Sequence, residues 1–197
     1  MKKISFFKFL LILSLLSLSF TSCGYNGLVE AREEVDAQWA NVESQYQRRA
    51  DLIPNLVATV KGYAEHETEV YTAIANARAK LGTSITLDSS ITEDEEKMKA
   101  FQQVQGELTS GLSRLLSITE AYPDLKSNEN FLDLQSQLEG TENRIATERK
   151  RYNDLVGSYN KSVQSFPGLI TAKMFGFKKK EYFKAESGAE HAPSVSF

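Results

Sequence analysis

From residue 28 onward, apolar side chains recur at steps of three and four along most of the chain. The first run reads Leu28, Ala31, Val35, Trp39, Val42, Tyr46, Ala50, Ile53, Val57 and Val60. It continues in phase through Ala64, Val70, Ile74 and Ala77, with Glu67 as the one polar interruption. This spacing puts the apolar side chains on one face of an α-helix. Sustained over many turns, it describes a helix packed along a bundle or coiled coil, and it predicts a first helical segment over about residues 28–80. Pro54 falls inside the run. Either it kinks the helix by removing a donor and crowding the carbonyl of residue 50, or Asp51 caps a new helix with Pro54 in its first turn. The unbroken stripe favours a kinked or near-continuous junction.

A second segment opens at Thr92-Glu93-Asp94-Glu95, which reads as a capping box with acidic side chains at the positive helix end. Its face is Met98, Phe101, Val104, Leu108, Leu112, Leu115, Ile118 and Tyr122, and Pro123 ends it. A third starts near Ser127, with the face Phe131, Leu134, Leu138, Thr141, Ile145, Tyr152, Val156, Tyr159, Val163 and Phe166, and Arg149 in phase between Ile145 and Tyr152; Pro167-Gly168 stops it. Trp39 is in phase with Val35 and Val42 and is expected in the core. Short links between long helices imply antiparallel neighbours. The predicted fold is all-α, an elongated antiparallel bundle of three to four long helices, four if Pro54 splits the first segment into two arms.

The two ends of the chain follow other rules. Met1-Lys2-Lys3 precedes the apolar run of residues 4–20, whose dense part, Phe9–Phe20, is 12 residues long. A basic start followed by a short apolar core is the pattern of an export signal, and a membrane-spanning helix needs about 20 apolar residues. Thr21-Ser22-Cys23-Gly24 then resembles a bacterial lipobox, although Phe20 stands where Leu is commoner. Residues 1–22 are expected to be a lipoprotein signal peptide and Cys23 to become an acylated, palmitate-type N-terminus; an uncleaved single-pass signal anchor is the alternative. Residues 23–184 form the helical domain. Within it, residues 168–184 carry Leu169, Ile170, Met174, Phe175, Phe177, Tyr182 and Phe183, too aromatic for a free tail, and are expected to fold back over a bundle end. The run Lys178-Lys179-Lys180 reads as a solvated turn, with contact to phosphate head groups as the alternative. Residues 185–197 read as a disordered tail.

Charge and composition narrow the function. Without Lys2, Lys3 and Lys8, the chain from Cys23 has 20 basic against 26 acidic side chains, formally −6. That balance argues against nucleic acid, which needs basic surface. It also leaves membrane attachment to the lipid on Cys23, where more than one acyl chain is needed for stable anchoring. Cys23 is the only cysteine, so the exported domain holds together without an internal disulfide. His66 and His191 are the only histidines, and neither sits in a zinc-ligand spacing. There is no phosphate loop and no nucleophile elbow. Carboxylates such as Glu30, Glu33, Glu34, Glu142 and Glu148 lie at helical spacing to arginines and read as ion pairs on a solvated face. No catalytic, metal or cofactor residues are expected.

Polar residues close to the stripes are more informative. Arg49, Asp51 and Asn55 flank Pro54. Asn153 and Asn160 are seven apart, each follows a tyrosine, and so they share one helix face. Buried polar groups need partners. These five are expected either to fix the register between the first and third helices, as polar positions do in coiled coils, or to line a groove for a peptide or an envelope polymer.

The stretches REEVDAQWANVESQYQRRADLIPNLVATVKGYAEHE (32–67) and YPDLKSNENFLDLQSQLEGTENRIATERKRYNDLVGSYNKSVQSFPG (122–168), with GYNGLV (24–29), ARAKL (77–81), FGF (175–177) and Tyr182-Phe183, resemble the LemA family over residues 24–184. The resemblance implies a short N-terminal membrane or export segment, an extracytoplasmic domain of long antiparallel helices, and no established enzyme activity or ligand. The departure is the lipobox-like cysteine, where many members look signal-anchored. The function expected is therefore a cell-envelope lipoprotein with a helical interaction or scaffolding domain facing away from the cytoplasm and a protein partner in the envelope. The rival is an envelope enzyme acting on cell-wall or lipid material.

Overall fold

The computed structural model describes residues 2–83 and 89–184, with side chains from Gly24 to Lys80 and from Ser90 to Lys184. The leader assigned to residues 1–22, the side chain of Cys23 and the tail at 185–197 lie outside what is so described. Among the described residues the chain is helical, with no strand. Helix α1 spans Lys2–Lys61, α2 Thr68–Thr83, α3 Glu95–Ile118, α4 Pro123–Lys126, α5 Glu129–Gln164 and α6 Gly168–Phe175; 3-10 turns at Ser89–Glu93 and Thr119–Ala121 flank α3. Helices α1, α3 and α5 are long, whereas α2, α4 and α6 are short.

The first predicted segment is two helices. It breaks at Gly62–Glu67, and α2 folds back against α3 while α1 packs along α5. Val60, Ala64, Val70, Ile74 and Ala77 are all buried, so the stripe stays in phase across the turn and hides it. Gly62 and the polar Glu67 are its only sequence marks. The helix runs through Pro54 without a break. Asp51 does not cap a new helix; its carboxylate accepts from the Gln47 side chain at 2.8 Å. Nor do the predicted caps of the other two helices serve as such. Asp94 caps α3, accepting from the amides of Glu96 and Lys97, because Thr92 is turned inward and fully buried. Asn128, one residue past Ser127, caps α5 by accepting from the Phe131 amide at 3.0 Å.

The core divides in two along the helices. One cluster is aliphatic: Ile53, Leu56, Val60, Val70, Ile74, Leu108, Leu112, Leu115, Leu125 and Leu138, with Phe131 as its one fully buried aromatic ring and Tyr71 and Tyr122 packed at its margin. The other is aromatic: Trp39, Tyr46, Phe101, Tyr152, Tyr159, Phe177 and Phe183, with Leu28, Val35, Val42, Met98, Ile145 and Val156. Each such side chain contributes about 1.5–3 kcal/mol by leaving water. Trp39 is the hub of the aromatic cluster, stacked on Phe183 at 5.7 Å and in contact with Tyr152 at 5.5 Å and Phe101 at 5.7 Å.

The difference between the halves comes from α2. It covers only the half near the α1–α2 turn, as the pairs Lys80–Glu107 and Arg114–Glu69 show. In the other half the C-terminal residues take its place. Gly176, at φ 75°, ends α6 in a left-handed turn that glycine adopts without strain. The chain then runs back beside α5 to Lys184.

Candidate functional site

Residues 177–184 are held by a repeat on α5. Tyr159 donates its hydroxyl to the Lys178 carbonyl at 2.8 Å, and Asn160 pairs with Lys180, accepting from its amide and donating to its carbonyl, both at 2.8 Å. One heptad earlier, Tyr152 donates to the Glu181 carbonyl at 3.0 Å. Asn153 pairs with the amide and carbonyl of Phe183 at 2.9 Å each. The register follows from two rises. Seven helical residues advance about 10.5 Å, and three extended residues advance about 10 Å. Each side-chain amide therefore meets a backbone amide and carbonyl as a neighbouring strand would. Burial pushes the Tyr159 phenol up to about 12, and burial also raises Tyr152; both hydroxyls are protonated donors at neutral pH.

Lys180 corrects the reading of Lys178-Lys179-Lys180 as a solvated turn. Its side chain is 1 % exposed and its Nζ reaches Asp36 at 2.8 Å, Thr92 Oγ1 at 2.9 Å and Glu93 at 3.1 Å. A buried ammonium needs partners of this kind. Lys178 and Lys179 are exposed. No local signal separates Lys180 from its neighbours, because the partners lie far away in sequence.

Between the two cores lies a polar layer. Arg49, not Ala50, occupies the core-facing position and is 2 % exposed. Its Nη1 donates to Thr109 Oγ1 and Glu142 Oε1, both at 2.9 Å, and its Nη2 donates to the buried Gln105 side chain. The guanidinium also lies 5.1 Å over the Tyr46 ring, and burial raises the phenol of Tyr46. Its Nε has no hydrogen-bond partner among the described residues.

This layer forms part of the wall of an open groove of about 730 Å³, to which α1 gives Tyr46 and Arg49, α3 gives Gln102, Gln103, Gln105 and Thr109, and α5 gives Glu142, Ile145 and Arg149. Tyr182 and Lys184 close one side. The groove thus continues along α5 from the point where residues 177–184 end. Its carboxylates all have cations: Glu142 has Arg49, Glu95 has Lys184 at 2.7 Å, and Glu181 has Lys179 at 3.6 Å. The Lys184 hydrogen bond holds the Glu95 carboxyl below its ordinary value. Among the described residues, no three His, Cys, Asp or Glu side chains converge on a common point as metal ligands would.

The five residues singled out in the sequence therefore separate. Arg49 lies in the polar layer and reaches Glu142 of α5 across the bundle. Asn153 and Asn160 hold the extended C-terminal residues rather than α1. Asp51 and Asn55 are exposed and take no part in the layer. The groove residues Gln102, Gln103, Gln105 and Thr109 carry no signal in isolation, since glutamine at these spacings reads as an ordinary polar helix face.

The LemA family sequence profile matches residues 38–197. Curated relatives include the magnetosome protein MamQ of Magnetospirillum gryphiswaldense, 28 % identical over 187 residues, covering 87 % of this chain and 68 % of the relative. Magnetosome protein MamQ 1 of Paramagnetospirillum magneticum matches equally, 28 % identical with the same coverage. Protein LemA of Metamycoplasma hominis is 24 % identical over 141 residues, 72 % of this chain and 60 % of the relative.

Proposed function

The chain belongs to the LemA family, and from that premise we propose a membrane-associated protein of the bacterial envelope, anchored by an acylated Cys23, whose helical domain receives an extended segment of a partner protein in the groove between α3 and α5. The anchor reading is supported by the Lys2-Lys3 start, the apolar run of residues 4–20 and the small residues before the lone cysteine. Among the described residues no helix is long and apolar enough to cross a membrane; the side chains of residues 4–20 lie outside that set. An intact mass beginning at Cys23 with added acyl groups is expected. A full-length chain with unmodified Cys23 would leave a signal anchor instead.

The observation that carries the partner reading is the continuity of the groove with residues 177–184. Side chains on α5 already hold one extended backbone by its amides and carbonyls. Beyond Lys184 the same helix borders an open groove lined by Gln102, Gln103 and Gln105 of α3 and by Glu142 and Arg149 of α5, whose side-chain amides and charges are of the kind that hold an extended backbone. A photo-crosslinking residue at Gln103 in cells should give a discrete protein adduct that the same probe at Gln47, on an exposed face outside the groove, does not. Identical adduct patterns from both positions, or adducts only to this chain's own residues, would overturn the reading.

A further inference from the structure

Nine large hydrophobic side chains are exposed among the described residues, and six of them, Tyr25, Phe166, Leu169, Ile170, Met174 and Phe175, lie at one end of the molecule. Phe166 is 81 % exposed and Met174 66 %. The end is built by α6 packing on α1 at Gly24 and Tyr25: Tyr25 lies 4.7 Å from the Phe175 ring, and a Cβ on Gly24 would sit 3.3 Å from Thr171 Oγ1. Helix α6 turns Thr171 and Ala172 inward and leaves Ile170, Met174 and Phe175 outward. That inverts the usual arrangement of a surface helix. A contiguous exposed apolar patch marks a contact with a protein or a membrane.

Three features select the membrane. The patch packs against Gly24 and Tyr25, the residues that directly follow the proposed anchor at Cys23, so whatever holds Cys23 at the membrane holds the patch beside it. Lys173 and Lys178 are exposed within and beside α6, whereas the chain from Cys23 is formally −6. Aromatic side chains mixed with lysines suit the lipid head-group level, where rings sit at the boundary and ammonium groups meet phosphates.

We propose that α6 and its flanks are a foot bedded in the lipid interface, with Phe166, Ile170, Met174 and Phe175 inserted and Lys173 and Lys178 on anionic head groups. The foot fixes the tilt of the domain and so the direction in which the α3–α5 groove opens. This rests on the membrane placement proposed above, and the test separates the two.

The full chain is reconstituted into phosphatidylcholine vesicles with and without phosphatidylglycerol. A photo-crosslinking residue replaces Phe166, Met174 or, at the opposite end, Tyr63, and adducts are read by mass. Phe166 and Met174 should give lipid adducts severalfold above Tyr63, with higher yield on the anionic vesicles. The pair Ile170→Asp and Met174→Asp should lower the Phe166 adduct severalfold while helicity and Tm stay unchanged. Lipid yields equal to Tyr63, or adducts mainly to a second copy of the chain, would overturn the foot while leaving the membrane placement intact. A chain that does not float with either vesicle would overturn the placement itself.

Discussion

The two halves of the core solve the same problem with different chemistry. Around Ile53, Leu56, Leu112 and Leu115, α1, α2, α3 and α5 supply apolar side chains from helices that fold back through short turns. Around Trp39, where α2 does not reach, the gap is filled by residues 177–184, which have no helix to satisfy their backbone. Backbone groups placed in a core must find partners. That half therefore needs Tyr152, Asn153, Tyr159 and Asn160 as well as rings. The comparison teaches that the aromatic half depends on buried hydrogen bonds spanning much of the chain, and the aliphatic half chiefly on packing, with its ion pairs Lys80–Glu107 and Arg114–Glu69 at the surface. Arg49 and its partners separate them.

The sharpest way to break the contrast is at the aromatic hub. Trp39→Ala removes a ring packed against Phe101, Tyr152 and Phe183 and should cost about 3–5 kcal/mol, read from denaturant unfolding. Hydrogen exchange should rise first at residues 177–184. A loss confined to the α2–α3 end would contradict the division of the core.

Next is Lys180→Ala. Breaking a buried pair costs about 3–5 kcal/mol when the partner stays buried. Asp36 and Glu93 are about a third exposed and can rehydrate, so a loss near about 3 kcal/mol is expected. Lys178→Ala, two residues away but exposed, should be nearly neutral. Equal effects from the two would mean that Lys180 is solvated in solution.

Alkali should also act on the aromatic half. The folded-state pKa of Tyr159 is about 12 against an ordinary 10.0, so the folded protein keeps a proton that the unfolded chain loses over that interval. The contribution of the phenol to stability is complete below pH 10, falls as pH rises, and is lost by about 12. Tyr159→Phe should flatten this part of the pH–stability curve at the expense of the Lys178 hydrogen bond. An unchanged slope would place the titration elsewhere.

The smallest effect belongs to the aliphatic half. A Cβ at Gly111 would lie 3.1 Å from Ile74 Cγ1, a contact that Ile74 must relieve by a few tenths of an ångström. Overpacking costs about 1–3 kcal/mol while alanine gains about 1 kcal/mol over glycine in a helix. Gly111→Ala should therefore range from neutral to a loss of about 2 kcal/mol, with no effect on exchange at residues 177–184. A larger loss would show α2 and α3 to be locked more tightly than the Trp39 cluster.

Some of this architecture was in the sequence. Steps of three and four located the helices because helical side chains point outward every 3.6 residues whatever they later touch. Trp39 and the faces of α3 and α5 followed from that alone. The Tyr-Asn pairs at 152–153 and 159–160 were visible as one face, but not what that face holds. Their partners are backbone groups 19–30 residues away, and spacing within a helix carries no information about them. The same limit hid the break at Gly62–Glu67, where the apolar phase survives a reversal of the chain. Lys180 is the clearest case: it reaches Asp36 across 144 residues. Two lysines and a third are alike until folding buries one of them, because burial is a property of the space a side chain enters and not of its neighbours in the chain. The choice of Arg49 over Ala50, the groove beside it and the outward face of α6 were decided in the same way, by which helix is short, which is long, and what remains to cover the difference.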